Sequence, residues 1–235
     1  MRNAIEIGND FIVTTDNSGG IGEKPGDIVA VPDHVTAYFA ARVALLELWS
    51  ANAEPVTVLI HNFSGSSSWE NYVQGVKNLF QEARLNVPAI SGSTETNIEL
   101  VQSAVAVTMI GKKKQVCLVG DLTWFTYGTP LVGDEVMARA DEVASVRKIH
   151  EAIERGIVHR IWPVGSRGLA EEVRNMTRNN EAIVETMLDT KKSAGPSTVV
   201  LLAIPVVKIA EAKKFYGTHL RELHIEGFKS SDGAH

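Results

Sequence analysis

A chain of 235 residues with 44% hydrophobic and 22% charged content can bury a substantial core in one large domain or two small ones. Its net charge of −5, without a long basic run, argues against nucleic acid as a partner. A single cysteine, Cys117, excludes an internal disulfide and any multi-cysteine metal site, and no apolar run reaches the ~18 residues that a membrane span needs.

In chain order the pattern is mixed. The N-terminal MRNAIEIGND lacks an apolar signal core, so the expected location is the cytoplasm. Short strands are predicted at Ile5–Ile7, Phe11–Thr14 and Ile28–Val31. Asp33 is a plausible N-cap for a helix over Val35–Trp49, whose apolar residues recur every three or four positions. A strand at Pro55–His61 and an amphipathic helix at Trp69–Ala83 follow, then strands at Ala89–Ser91, Ser103–Ile110 and Gln115–Val119. Gly111, before Lys112–Lys114, reads as a turn between strands, and Cys117 reads as core. The segment Gly120–Gly133 is rich in turn residues and weakly periodic, which makes it the expected boundary between domains 1–119 and 120–235. Beyond it come helices at Asp141–Arg155, Gly168–Leu188 and Val207–Phe215, with strands at Ile157–Pro163 and Thr198–Ile204. The periodicity supports an α+β or α/β fold.

The chemistry concentrates in Val13–Asp27, VTTDNSGGIGEKPGD. Glycines at 19, 20, 22 and 26 let backbone amides approach an anion, Lys24 adds a point charge, and Asp16 and Asp27 offer oxygen to a hard cation such as Mg²⁺. A polar hairpin turn with solvated charges has the same composition. Four weaker features accompany it. Arg42 and Glu47, five apart on the first helix, read in isolation as surface charges. Asn62, just past a strand, either lines a site or forms a turn. The segment Ser91–Asn97, SGSTETN, offers Ser93 and Glu95 to phosphate or metal, or caps a helix. PVGSRG and KSAGPST flank strand and helix ends in the second half, where either an anion or a plain linker would fit.

The order of these segments resembles the ATP-binding superfamily of aminoimidazole ribonucleotide synthetase, which includes thiamine-monophosphate kinase, selenophosphate synthetase and the hydrogenase-maturation dehydratase. Thr14-Thr15-Asp16 resembles the TTD of the kinase, and Gly20-Ile21-Gly22-Glu23-Lys24 the GVGTK of the synthetase. The set GGIGEKPGD, ARVALLE, SGSTETN, PVGSRG and KSAGPST is similar to the α-ribazole kinase branch. The resemblance covers residues 5–111, and beyond them only the last two motifs. It departs from thiamine-monophosphate kinases where Glu47 replaces a helix aspartate, Ser93 a GGDT aspartate and Asn9-Asp10 a pair of acids.

The resemblance implies an α+β protein. Its N-terminal α/β domain would form a barrel across a homodimer, and a reduced α+β C-terminal domain would close over the site. It implies an ATP- and Mg²⁺-dependent kinase acting on a small-molecule alcohol, with α-ribazole as acceptor. Asp16 and Lys24 would be catalytic. Gly19, Gly20, Gly22, Lys24, Asp27 and Arg42 would hold the nucleotide, Asp10, Asp16, Glu47 and Glu95 the metal, and Asn62 and Ser93 the substrate. The same fold also implies three alternatives: a kinase of another vitamin-like or nucleoside-like alcohol such as thiamine monophosphate, an ATP-dependent cyclase or dehydratase, and a degenerate nucleotide-binding paralogue.

Overall fold

The computed structural model describes residues 3–115 and 120–226, which fall into two compact units. The strand predicted at Gln115–Val119, and with it Cys117, lies outside the described residues except for Gln115, which is not in a strand.

The first unit, Asn3–Gln115, contains β1 (Ile5–Ile7), β2 (Phe11–Gly19), β3 (Ile21–Gly22), β4 (Val29–Ala30), α1 (Asp33–Ser50), β5 (Ala53–Asn62), α2 (Trp69–Glu82), β6 (Ala89–Thr94) and β7 (Ala104–Lys113). Five strands form one sheet in the order β1-β2-β7-β5-β6, while β3 and β4 make a short parallel bridge inside the loop after β2. The pairs β1–β2, β2–β7 and β7–β5 are antiparallel and β5–β6 is parallel. Consequently β2, β5 and β6 run the same way and end at one edge of the sheet.

Strand periodicity decides what each face carries. Ile12 and Thr14 on β2, Val105, Val107 and Met109 on β7, and Val58 and Ile60 on β5 are buried beneath the helices. Two contacts fix α1 antiparallel to β2: the Thr14 hydroxyl donates to the Ala44 carbonyl at 2.8 Å, and the Thr36 hydroxyl to the Ile21 carbonyl at 3.4 Å. Every residue of α1 from Ala40 to Trp49 is buried, because the helix lies between the sheet and α2. Gly75 of α2 sits where α1 crosses; a Cβ there would stand 2.1 Å from the His34 carbonyl oxygen.

The opposite face of the sheet is uncovered within this unit. It carries Ile5, Ile7, Phe11 and Val13 toward one edge, and Thr15, Thr108 and His61 toward the middle. Thr108 Oγ1 lies 3.2 Å from both Thr15 Oγ1 and His61 Nε2, a polar ladder across three strands. Gly111 is within β7, not a turn: a Cβ there would crowd the Glu54 carbonyl and Leu48. Lys113 and Lys114 pair with Glu6 and Glu54.

The second unit contains β8 (Leu122–Gly128), α3 (Asp134–Ala138), α4 (Val146–Glu154), β9 (Arg160–Pro163), α5 (Gly168–Thr177), β10 (Val184–Glu185), β11 (Val199–Pro205), α6 (Ile209–Tyr216), β12 (Leu220–Glu222) and β13 (His224–Ile225). Its main sheet is antiparallel in the order β12-β8-β11-β9, and β10 pairs with β13 separately. Strand β11, VVLLAIP, is buried along its whole length; Val199 and Leu201 pack with Leu169 and Val173 of α5. The segment expected to be an irregular boundary holds β8, whose Trp124, Phe125, Thr126 and Tyr127 are strong strand formers. The helix predicted over Gly168–Leu188 stops at Thr177, where Arg178 takes a left-handed conformation. The helix predicted from Asp141 begins at Val146, capped by the Ser145 hydroxyl, which accepts from the Lys148 amide at 3.3 Å.

Candidate functional site

The edge where β2, β5 and β6 end collects five segments: the glycine loop after β2, the turn after β5, the loop from β6 into β7, and the first turns of α1 and α2. Ligands of α/β sheets gather at such strand ends, and helix N-termini bring a partial positive charge to them.

The glycine loop is built around Lys24–Asp27. Pro25 presets the turn, which closes with the Asp27 amide donating to the Lys24 carbonyl at 3.0 Å. The Asp27 carboxylate then clamps two segments. Its Oδ2 accepts from the Lys24 amide at 2.9 Å and its Oδ1 from the Ser103 amide at 2.7 Å. Lys24 Nζ donates to the Leu100 carbonyl at 2.6 Å, and Gln102 Nε2 to the Gly26 carbonyl at 2.8 Å. The loop is thus strapped to the chain entering β7. Two of its glycines serve that strap: a Cβ at Gly22 would stand 2.5 Å from Ser103 Oγ, and one at Gly26 would stand 2.5 Å from the Val101 carbonyl. Gly19 differs, because a Cβ there meets nothing within 4 Å. An Asp27→Ala variant should cost about 2 kcal/mol, since two hydrogen bonds to a charged acceptor disappear from a partly exposed site. Native-state hydrogen exchange would show faster exchange at the Lys24 and Ser103 amides, and unchanged rates there would refute the clamp.

Asn62 is the hub of the next segment and only 1% exposed. Its Nδ2 donates to the Gly65 carbonyl at 2.8 Å and to Thr94 Oγ1 at 3.2 Å, and its Oδ1 accepts from the Ser64 amide at 2.8 Å. Its own carbonyl accepts from the Glu95 amide at 2.8 Å. This is the turn-forming role, and it uses both amide hydrogens and one lone pair of Oδ1. Ser64 Oγ lies 2.6 Å from the Tyr72 hydroxyl, which burial pushes up to about 12.

The carboxylates expected to share a metal are scattered. Asp10 precedes β2 at the far end of the sheet, about 20 Å along the strand from Asp16 at ~3.3 Å per residue. Asp16 is half-buried on the helix side, in register with the buried Val107. Glu47 and Arg42 are each 1% exposed within α1, so neither is a surface charge. Arg42 acts on the Tyr38 hydroxyl, which donates to Glu82 of α2 at 2.6 Å. Glu95 closes its own loop, accepting from the Asn97 amide at 2.6 Å and the Ile98 amide at 3.2 Å. Those backbone bonds hold its carboxyl below the usual carboxylate range. Ser93 lies on the uncovered face beside His61. Among the described residues no three His, Cys, Asp or Glu side chains converge to hold a metal ion. The four carboxylates of the expected quartet are therefore not gathered at one point.

Sequence reasoning missed Asp33 as anything beyond a cap. It is the first residue of α1 and 3% exposed; its amide donates to Glu23 Oε1 at 3.4 Å, and its carboxylate bonds to Ser68 at the start of α2. Burial raises its carboxyl above the usual range, the Ser68 bond opposes this, and the charges of Glu23 and Asp27 add to the rise. The available signal was the spacing of three acids, at 23, 27 and 33, around one glycine loop.

No family model matches the sequence. No curated protein matches it either. Solved structures do. The chain superposes on thiamine monophosphate kinase from Aquifex aeolicus with a TM-score of 0.63 at 12% identity, covering 96% of this chain and 89% of that one. HypE in its complex with HypF gives 0.63 at 12% identity, covering 98% of this chain and 88% of the other. T. maritima PurL, complexed with AMPPCP, gives 0.57 at 12% identity over 94% of this chain but only 42% of PurL. At such identities the likeness is one of fold: the chain has the architecture that these three structures share. Among the described residues no helix is long and apolar enough to cross a membrane.

Proposed function

We propose that the protein is an ATP-dependent small-molecule kinase, with α-ribazole as its alcohol acceptor. The observation that carries this reading is the glycine loop. It lies with Lys24 at the strand-end edge, beside the N-termini of α1 and α2, on a fold whose solved examples include HypE in complex with ATP and a kinase complexed with AMPPCP and TMP. Phosphoryl transfer asks a protein mainly to position the reactants and neutralise charge. Gly19, with open space where a side chain would stand, admits a phosphate to the backbone. Lys24 reaches the same edge as a point charge and exchanges the Leu100 carbonyl for phosphate oxygen. α-Ribazole rests on the motif likeness given above, in GGIGEKPGD, SGSTETN and KSAGPST.

A homodimer completes this reading. The uncovered sheet face exposes Ile5 at 67%, Ile7 at 56% and Phe11 at 42%, an apolar strip that a second copy would bury. A second reading, a nucleotide-binding protein without turnover, is favoured by the scattering of Asp10, Asp16, Glu47 and Glu95.

The test is ADP release by purified protein with Mg-ATP, with and without α-ribazole, followed by mass detection of α-ribazole phosphate. Acceptor-dependent ADP with that product supports the kinase. Saturable ATP binding without turnover over a panel of alcohols supports the second reading. Lys24→Ala should weaken ATP about 10- to 100-fold, the equivalent of one charge-assisted hydrogen bond. An unchanged ATP affinity would remove Lys24 from the site.

A further inference from the structure

The strand-end edge holds more negative charge than its clamp uses. Both oxygens of Asp27 are committed, one to the Lys24 amide and one to the Ser103 amide. Asp33 is less fully provided for: the Ser68 side chain and the Glu23 backbone bond to its carboxyl, but not to both of its oxygens. Its Oδ1 is buried without a hydrogen-bond partner among the described residues, and the two charges that act on it, those of Glu23 and Asp27, are both negative. Glu23 is exposed and touches the Asp33 amide at a long 3.4 Å. A second buried oxygen is equally unprovided: Ser103 Oγ, in a residue 1% exposed, has no hydrogen-bond partner among the described residues. It lies against Gly22, where it and Asp27 Oδ2 both come within 3.0 Å of the point a Cβ would occupy.

Buried oxygens without donors are costly, and like charges gathered at one edge repel. A cation relieves both. Mg²⁺ beside a nucleotide keeps several waters and takes only one or two carboxylates, the phosphates supplying the rest. The absence of a three-residue cluster among the described residues therefore does not oppose such a site. The helix N-termini at the same edge would attract the phosphates.

We infer that Asp33 and Glu23 are the protein's half of a divalent-cation seat, completed by nucleotide phosphate oxygens and water. They stand in for the quartet of Asp10, Asp16, Glu47 and Glu95. The inference rests on the nucleotide reading above. Asp33 supplies an acceptor fixed between α1 and α2. Glu23, at the mouth of the loop, supplies one that moves with it.

The experiment is calorimetric titration of the full chain with AMPPCP, in Mn²⁺ and again in EDTA. The wild type should bind at least tenfold tighter with Mn²⁺. Glu23→Gln and Asp33→Asn should each lose most of that enhancement. Their affinity in EDTA should hold or rise, because a negative charge near the phosphates has gone. Asp10→Asn and Asp16→Asn should keep the enhancement. Glu23 is exposed, so Glu23→Gln stays informative even where Asp33→Asn folds poorly. Undiminished metal dependence in Glu23→Gln, or its loss in Asp16→Asn, would overturn the seat and leave the nucleotide reading standing. No AMPPCP binding in either condition would overturn the nucleotide reading and the seat with it.

Discussion

Replacing Gly75 with alanine should lower the melting temperature of the first unit by about 10–20 °C, although the same change in an open helix would raise it. Alanine improves helix propensity by roughly 1 kcal/mol over glycine. Here the added methyl would stand 2.1 Å from the His34 carbonyl oxygen and 3.0 Å from the Tyr38 amide nitrogen, both backbone atoms of α1. No rotamer change relieves that contact, so the helices must separate. Overpacking of this kind costs about 1–3 kcal/mol and more where backbone is the obstacle. In a unit of this size each kcal/mol is worth ~4–8 °C. Separation would also pull Asp33 on α1 from Ser68 before α2, so the effect should extend to the strand-end edge. Thermal unfolding followed by circular dichroism decides it. A gain in stability would mean that α1 and α2 do not approach so closely.

The second large effect is expected at Asn62, and its character matters more than its size. Asn62→Ala removes the partners of the Ser64 amide, the Gly65 carbonyl and Thr94 Oγ1 at once, in a position closed to water. Leaving buried polar groups unpaired costs about 1–3 kcal/mol each, so a loss of about 3–5 kcal/mol is expected. Chemical denaturation measures it. Protein that still folds at low temperature should bind its acceptor with an unchanged KM, because the amide faces inward. A stable variant with a raised KM would return Asn62 to the substrate site.

The contrast between Asn62 and Asp33 shows how far the sequence could be read. Strand and helix positions in the first unit followed from periodicity, because Phe11–Thr14, Pro55–His61 and Ser103–Ile110 alternate as strands with one buried face should. The glycine loop was legible from its composition, and the structure places it at the edge where β2, β5 and β6 end. What could not be read was which side of an element each polar residue takes. Arg42 and Glu47 carry charges that speak for the surface, yet α1 is enclosed between a sheet and α2. Asp10 and Asp16 are near in sequence and far apart along an extended strand. Asp33 looked like a cap, and its meeting with Glu23 across the loop depends on the fold. In the second unit, β8 was missed because the turn residues around it outweighed its aromatic run.

The register of β2 against β7 has a consequence for how this chain must be made. Phe11 faces Lys112 and Gly19 faces Ala104, so β2 pairs with residues about ninety positions downstream. On a ribosome β2 waits, unpaired on that side, until nearly all of the first unit has emerged. Contacts so distant in sequence slow folding and prolong the exposure of an apolar strand. The Asp27–Ser103 clamp, spanning 76 residues, closes no earlier. The loop read here as phosphate-binding is thus among the last parts to acquire its shape, and its protection in a pulse-labelled nascent chain would report that the unit is finished.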